Sequence, residues 1–373
     1  MIQKFNRYYQ YRIYPNEEQK RMIAKTFMCC RKIYNLMLEK RLSSLKATGR
    51  LCPSYPQEFY DKYPVLKEAD TTAYGFEQTI LWRSFNDYLS KKKEQLPKFK
   101  SARYQRQSYT TKPTSSGDIA VTDNKIKLPK IGLIKAKIHR HAPEDWILRQ
   151  ANVSQTPDGE YHVAILYEYQ KDVQKIHLSD KVIGLDYKSG GLYMSSNGRQ
   201  PKDFQRIFCK NQEKLSKERA KLSRKKIGSN RYKKQQRRIA KLCRHISNQR
   251  MDTLHKLAKK IADNQDIVCV ENLDMNEIAR KEMHLGKYTM DNSYGKFLHI
   301  LEYKLNERGK HFVKVDKWYP STQICSRCGK IHKLSLSERT YKCECGLSLD
   351  RDHNAAINIK REGIRLLKEQ LKK

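Results

Sequence analysis

The sequence is short of acid. Its 373 residues carry 40 Asp and Glu against 77 Lys and Arg, a formal net charge of +37. A surface so one-sided excludes cationic partners and calls for a polyanion, which neutralises it and is steered to it. The chain also lacks a long apolar run and a clean amphipathic anchor, so no membrane partner is expected. No apolar leader follows Met1: Met1-Ile-Gln-Lys-Phe-Asn-Arg has no hydrophobic stretch for secretion. Without secretion the ten cysteines are expected in a reducing compartment, not in disulfides. Internal repeats are missing too, apart from two short cysteine pairs near the C-terminus. The length suits two or three domains of roughly 100–200 residues each.

What is present changes texture along the chain. Residues 5–14 alternate aromatic and basic side chains, which predicts a strand, broken at Pro15-Asn16. Asn16 and Gln19 form a capping-box pattern, and Ile23, Phe27, Cys30, Tyr34 and Met37 recur at helical spacing. A second helix is expected from about Thr71 to Lys93, with Phe76, Ile80, Phe85 and Leu89 on one face. Residues 16–95 thus read as a helical insertion. From Pro97-Lys-Phe-Lys100 to 178 come short alternating runs at Ile126, Ile131, Ile147 and Tyr161, with a hairpin turn at Pro157-Asp-Gly159. About five such strands suggest a small β-barrel that the first strand could complete. Tyr104, Arg106, Tyr109 and Lys112 interleave rings with cations, a surface suited to nucleic acid.

A new texture opens at Val182-Ile-Gly-Leu-Asp186, an apolar strand ending in an acid, followed by the strand Leu192-Tyr-Met. Residues 202–260 hold 21 Lys and Arg and 4 Asp and Glu, and read as a helical hairpin broken at Gly228-Ser-Asn. On its second arm Ile239, Leu242, Ile246, Met251, Leu254, Leu257 and Ile261 form an apolar stripe for the core. Ile267-Val-Cys-Val270 is a buried-type strand ending in Glu271, and 276–290 reads as a polar, mobile loop. A helix from about Tyr294 to Arg308, a strand at His311 and a last helix from about Asn354 to Leu371 complete the chain.

Two constellations carry chemistry. Cys325 and Cys328, then Cys343 and Cys345, are spaced to close a tetrahedral zinc site on two short turns. The other six cysteines are scattered and read as small core or surface residues. Asp186 and Glu271 end strands, and Asp352 precedes a helix. A single acid in such a place is most often a turn or cap residue. Three on α/β segments of one half can converge and hold two divalent cations, magnesium or manganese, for phosphodiester cleavage.

Gly184-Leu-Asp186, Val270-Glu-Asn-Leu273, Tyr319-Pro-Ser-Thr-Gln-Ile-Cys325-Ser-Arg-Cys328-Gly and Asp350-Arg-Asp-His-Asn-Ala-Ala356 resemble TnpB, the RNA-guided nuclease family of insertion sequences and ancestor of type V CRISPR effectors. Tyr11-Arg-Ile-Tyr-Pro-Asn-Glu-Glu-Gln19, Pro97-Lys-Phe-Lys100 and Leu128-Pro-Lys-Ile-Gly132 extend the resemblance over nearly the whole chain. It implies a multidomain α/β protein. An oligonucleotide-binding-like wedge barrel (1–15 and 96–178) would be interrupted by a helical recognition domain (16–95). An RNase H-like RuvC nuclease domain (179–318 and 347–373) would carry an inserted zinc ribbon, a target nucleic-acid-binding module (319–346). It also implies Asp186, Glu271 and Asp352 as the catalytic acids, with Asp350 a neighbour. A guide RNA, a double-stranded DNA target, a cytoplasmic, nucleoid-associated setting and a monomer bound to its RNA follow as expectations. Two departures stand out. The second knuckle is Cys343-Glu-Cys345, one residue tighter than the family habit, with His332 as the stand-in ligand. Tyr187-Lys-Ser-Gly-Gly after Asp186 is unusual. A compact CRISPR effector, a strand-joining transposase and a catalytically silent zinc-ribbon regulator are the alternatives, the last disfavoured by the intact acids.

Overall fold

The computed structural model describes residues 2–372 except 103–106, 116, 202–203, 205–206, 279–290, 292 and 336–337, with residue 276 described by its backbone alone. The chain divides into two units, Lys4–Lys171 and Met1–Gln3 with Asp172–Lys373. Among the described residues no helix is long and apolar enough to cross a membrane.

In the first unit, strand β1 (Ile2–Tyr14) leads into α1 (Glu17–Thr48). The predicted capping box is formed: Asn16 accepts from the Gln19 amide and the Gln19 side chain accepts from the Asn16 amide. A short helix α2 (Val65–Glu68) and α3 (Thr72–Leu89) follow. Strands β2 (Gln107–Thr111), β3 (Ala120–Val121), β4 (Lys125–Leu128), β5 (Gly132–Lys137), β6 (Ile147–Gln155) and β7 (Tyr161–Asp172) join β1 in a seven-stranded sheet of order β2-β6-β7-β1-β5-β4-β3. No pairing among the described residues joins its two edge strands. Helices and strands share one hydrophobic core, with Ile23, Phe27, Tyr74 and Phe85 in the same cluster as Tyr11, Tyr109 and Ile165.

The buried face of α3 differs from the expected one. Tyr74, Glu77, Leu81 and Phe85 point inward, while Ile80 and Leu89 are exposed. A carboxylate marks Glu77 as a surface residue in any pattern reading. Here the Lys100 ammonium meets it, and Asn35 holds the Lys100 backbone through both its amide and its carbonyl. Burial raises the Glu77 carboxyl above its ordinary range and Lys100 opposes that rise. Tyr109 is likewise a core residue, 2% exposed, so it offers no stacking surface. Tyr104 and Arg106 lie outside the described residues.

In the second unit a four-stranded sheet has the order β11-β10-β8-β9. Strands β8 (Val182–Lys188), β10 (Ile267–Glu271) and β11 (His311–Val315) run parallel, and β9 (Leu192–Ser195) pairs antiparallel with β8. Between β9 and β10 stand α4 (Ile207–Ser223) and α5 (Asn230–Asn264), the expected hairpin. It turns at Gly228 with φ +82°, and Ser229 caps α5 by accepting from the Tyr232 amide. All seven apolar residues of the α5 stripe are at least partly buried, while Lys233, Lys234, Arg237, Arg238 and Lys241 are exposed. After β10 come a single turn α6 (Met275–Ile278) and α7 (Tyr294–Asn306); from 279 to 290 the expected loop lies outside the described residues. A small hairpin, β12 (Thr340–Lys342) and β13 (Ser348–Asp350), leads into α8 (Arg351–Lys372).

Candidate active site and cysteine knuckle

Strand parity decides which face carries the chemistry. Successive side chains on a strand point to opposite faces. Ile183, Leu185, Val268 and Val270 pack in one cluster with α5 and α7 residues such as Leu254 and Phe297. Val182, Ile267 and Cys269 pack in another, with Ile359 and Leu367 of α8. Asp186 shares the parity of Val182, and Glu271 that of Cys269, so both acids belong to the α8 face. The parallel register aligns Val270 with Leu185, which makes Glu271 and Asp186 the next positions on neighbouring strands. Such strands stand about 4.8 Å apart. The expected end of the strand at Asp186 holds only for its parallel partner. Pairing with β9 continues through Lys188 opposite Leu192.

Helix α8 lies across this face on two glycines. A Cβ on Gly184 would come within 2.2 Å of the Ala356 carbonyl, and one on Gly363 within 2.3 Å of the Cys269 sulfur. Backbone contact this close brings the first turn of α8, with Asp352, over the sheet edge. The helix starts at Arg351, three residues before the expected Asn354. The Asp350 carboxylate accepts from the His353 amide at 3.0 Å, so Asp350 is the cap of α8, 45% exposed. Asp352 is the inward acid of the pair, 14% exposed. Gly184→Ala is expected to push α8 off the sheet, because the obstacle is backbone and cannot swing aside. A shift near 1 Å should lower the phosphodiester cleavage expected from the sequence about 10²-fold with metal content unchanged; an unaltered rate would show the helix to be free to adjust.

The acids are electrostatically joined. Asp186 is 7% exposed. Burial, then the charges of Asp352 and Glu271, hold its carboxyl well above the ordinary range. Burial pushes Glu271 up to about 7. Groups poised this way take up a cation by releasing protons, so binding strengthens as pH rises through about 7. The three acids stand wider than a single-ion cluster, since among the described residues only the cysteines bring three or more ligand atoms within 4.8 Å. The donor set is all oxygen, which suits hard divalent ions, and its spread leaves room for more than one.

Three neighbours escaped the sequence reading. Lys188 Nζ lies 2.9 Å from Asp352 Oδ2, and Arg351 Nε lies 3.7 Å from Asp352 Oδ1. Tyr294, at the start of α7, is 1% exposed, yet its hydroxyl makes no hydrogen bond to the described protein. Burial and then the charges of Asp186 and Glu271 raise its pKa. That orphaned hydroxyl beside two acids fits a site that receives further polar groups. Lys188 could have been flagged by its place two residues after Asp186. Nothing local marks Tyr294.

The four cysteines do meet. Cys325 and Cys345 sulfurs are 3.6 Å apart, Cys328 and Cys343 sulfurs 3.5 Å. Tetrahedral zinc with bonds of about 2.3 Å would separate its sulfurs by about 3.8 Å, so the set fits zinc despite the tight second knuckle. His332 Nε2 touches Cys343 Sγ at 3.4 Å but stands outside the four-ligand group. The knuckle is clamped to α8 by two asparagines one turn apart. Asn354 accepts from the Ser326 amide and donates to the Ile324 carbonyl; Asn358 donates to the carbonyls of Ser321 and Ile324. Both are essentially fully buried. This explains the Asn354-Ala-Ala-Ile-Asn358 run: amides grip the knuckle while alanines let α8 approach β8.

Fold and site together define a mixed α/β chain whose acid cluster at one sheet edge is completed by a helix bolted to a cysteine knuckle. Known proteins resemble this chain in sequence and in fold. A "Probable transposase" family model matches residues 164–282, a "Cas12f1-like, TNB domain" model residues 294–359, and a "Helix-turn-helix domain" model residues 1–50. In the last stretch the structure has the strand β1 and one long helix. A Streptomyces pristinaespiralis protein named "Putative RNA-guided DNA endonuclease" is 28% identical over 98% of this chain and 91% of its own. A mimivirus "TnpB-like protein" is 32% identical over 37% of this chain and 28% of its own. Among solved structures, Cas12f1 in a complex with sgRNA and target DNA matches with a TM-score of 0.61 over 96% of this chain and 99% of that one, at 14% identity, a likeness of fold. These matches support a protein of TnpB type, similar to the named RNA-guided DNA endonucleases along nearly the whole chain.

Proposed function

We propose that this chain is an RNA-guided DNA endonuclease of TnpB type, which cuts target DNA beside a short flanking motif by two-metal phosphodiester hydrolysis. The observation that carries this reading is the placement of Asp186 and Glu271 side by side on the sheet face that α8, bearing Asp352, covers. These acids are the metal-binding catalytic groups. Magnesium or manganese held there would polarise the attacking water and neutralise charge at the leaving 3′ oxygen. Asp186 binds from a buried strand, Glu271 from the next strand, and Asp352 from a helix turn fixed by Asp350 and the knuckle. Cys325, Cys328, Cys343 and Cys345 hold a structural zinc.

The domain plan follows the same reading. Residues 1–15 and 96–178 form the wedge, 16–95 the recognition helices, 179–318 and 347–373 the RuvC-like domain, and 319–346 the zinc module. The core shared by helices and strands in Lys4–Lys171 supports treating wedge and recognition helices as one folded body. The guide RNA lies against the basic faces, above all the 21 cations of 202–260. Base pairing reads the target, and the protein acts as a monomer with its RNA.

An exchange experiment tests this. The purified protein is stripped at high salt, then given nothing, an unrelated RNA, or the RNA it was recovered with. Only the recovered RNA should restore magnesium-dependent cutting, and only of DNA complementary to its guide segment. Cutting without RNA would reduce the protein to a plain nuclease; no cutting in any arm would favour a binding module. Sequencing the recovered RNA separates a transposon-type guide from a CRISPR-type one.

A further inference from the structure

Lys188 occupies an unexpected position for a cation. It is the last residue of β8, two positions after Asp186 and on the same face. Its backbone is pinned on both sides. It pairs with Leu192 across the hairpin, and its carbonyl accepts from the Gly191 amide at 3.1 Å. Leu192 itself has φ +72°, a left-handed conformation that residues other than glycine rarely adopt. The ammonium therefore reaches only as far as its side chain allows. It is 23% exposed and sits 2.9 Å from Asp352 and 4.0 Å from Asp350. Its charge also acts on Asp186.

We propose that Lys188 is a resident counter-cation of the acid cluster, holding Asp352 until a divalent ion displaces it, and so sets the ion concentration at which the site loads. The proposal rests on the cleavage reading above. Acids gathered in a largely dry site repel one another unless something positive stands among them. An ammonium tethered to the neighbouring strand supplies that charge without leaving the protein. The same ammonium competes with an incoming ion for Asp352, because a second cation at hydrogen-bond distance from that carboxylate is repelled by the first. Lys188 is thus a positioning residue: it acts through Asp352.

Zinc-loaded protein with its RNA is compared as wild type, Lys188→Met, Lys188→Gln and Lys188→Arg. Ferrous iron is titrated in with ascorbate and peroxide, and backbone cuts near 186, 271 and 352 are mapped by mass spectrometry. This reads occupancy of the site independently of DNA cleavage. The iron concentration giving half-maximal cutting should fall about tenfold or more in both neutral variants and stay near wild type in Lys188→Arg. The magnesium concentration for half-maximal DNA cleavage should move in the same direction. Unchanged half-points in a folded Met or Gln variant would overturn the proposal, and a lowered kcat beside them would assign the lysine to the phosphate instead. Absence of iron-directed cuts at these positions in wild type would overturn the cleavage reading itself.

Discussion

Replacing Asp186, Glu271 or Asp352 by Ala is expected to abolish cleavage, by on the order of 10³-fold or more, while RNA binding and the fold survive. In the proposed site each acid holds a cation and contributes little packing. Losing one misplaces the ions and leaves the remaining acids facing one another unneutralised. Asp350 provides the internal control. Its carboxylate caps α8 through the His353 amide. Asp350→Ala should therefore cost about 1 kcal/mol of helix stability and much less cleavage than Asp352→Ala. Rates of single-turnover cutting, with RNA retention measured in parallel, decide the matter. Near-wild-type cutting by Glu271→Ala would remove it from the site; the reverse order for Asp350 and Asp352 would move the catalytic role to Asp350.

Cys343→Ser should cost the protein its zinc and, with it, most of its cleavage. Among its described residues the knuckle module has one three-residue strand, paired with another just beyond it, and one isolated bridge, Ile324 with Ile331, and its buried apolar residues are Cys325 and Tyr341. So small a piece would take its folding energy from a bound metal. Its collapse would free the segment 321–326 that Asn354 and Asn358 grip, leaving those buried amides unpaired in the first turns of α8. Asp352 sits in the same turn. Elemental analysis should find one zinc per chain in the wild type and none in the variant. Proteolysis should open new sites within 320–346, and cleavage should fall in step. Full zinc in Cys343→Ser, or none in the wild type, would be incompatible with the assignment. His332→Ala should keep its zinc, because His332 touches Cys343 from outside the four-sulfur group.

Much of this molecule was readable from residue order, because many of its signals are local. The Asn16–Gln19 box, the Gly228-Ser229 break, the α5 stripe and the buried β10 run each depend on neighbours within a turn or two. Those elements formed where the pattern put them. The three acids and four cysteines were nameable for a similar reason: each sits at a strand end, a helix start or a tight turn. Patterns failed where a distant partner changed a residue's nature. Glu77 is in the core because Lys100, 23 positions on, neutralises it. That rotates the buried face of α3 away from Ile80 and Leu89. Tyr109 went from expected surface to core because α1 covers it, with Phe27 edge-on at 5.7 Å.

The sequence by itself determined the charge, the element types, the two cysteine pairs and the candidate acids, since these follow from composition and short-range periodicity. Only the tertiary structure decided that Asp186 and Glu271 lie side by side, since strand register is a long-range pairing that no local spacing encodes. It also gave the physical reason for the choice of Asp352 over Asp350 that the resemblance had implied, since the start of α8, three residues early, makes Asp350 a cap and leaves Asp352 the less exposed acid. It alone set Lys188 against Asp352, across 164 residues of chain, because a glycine-seated helix closes that distance.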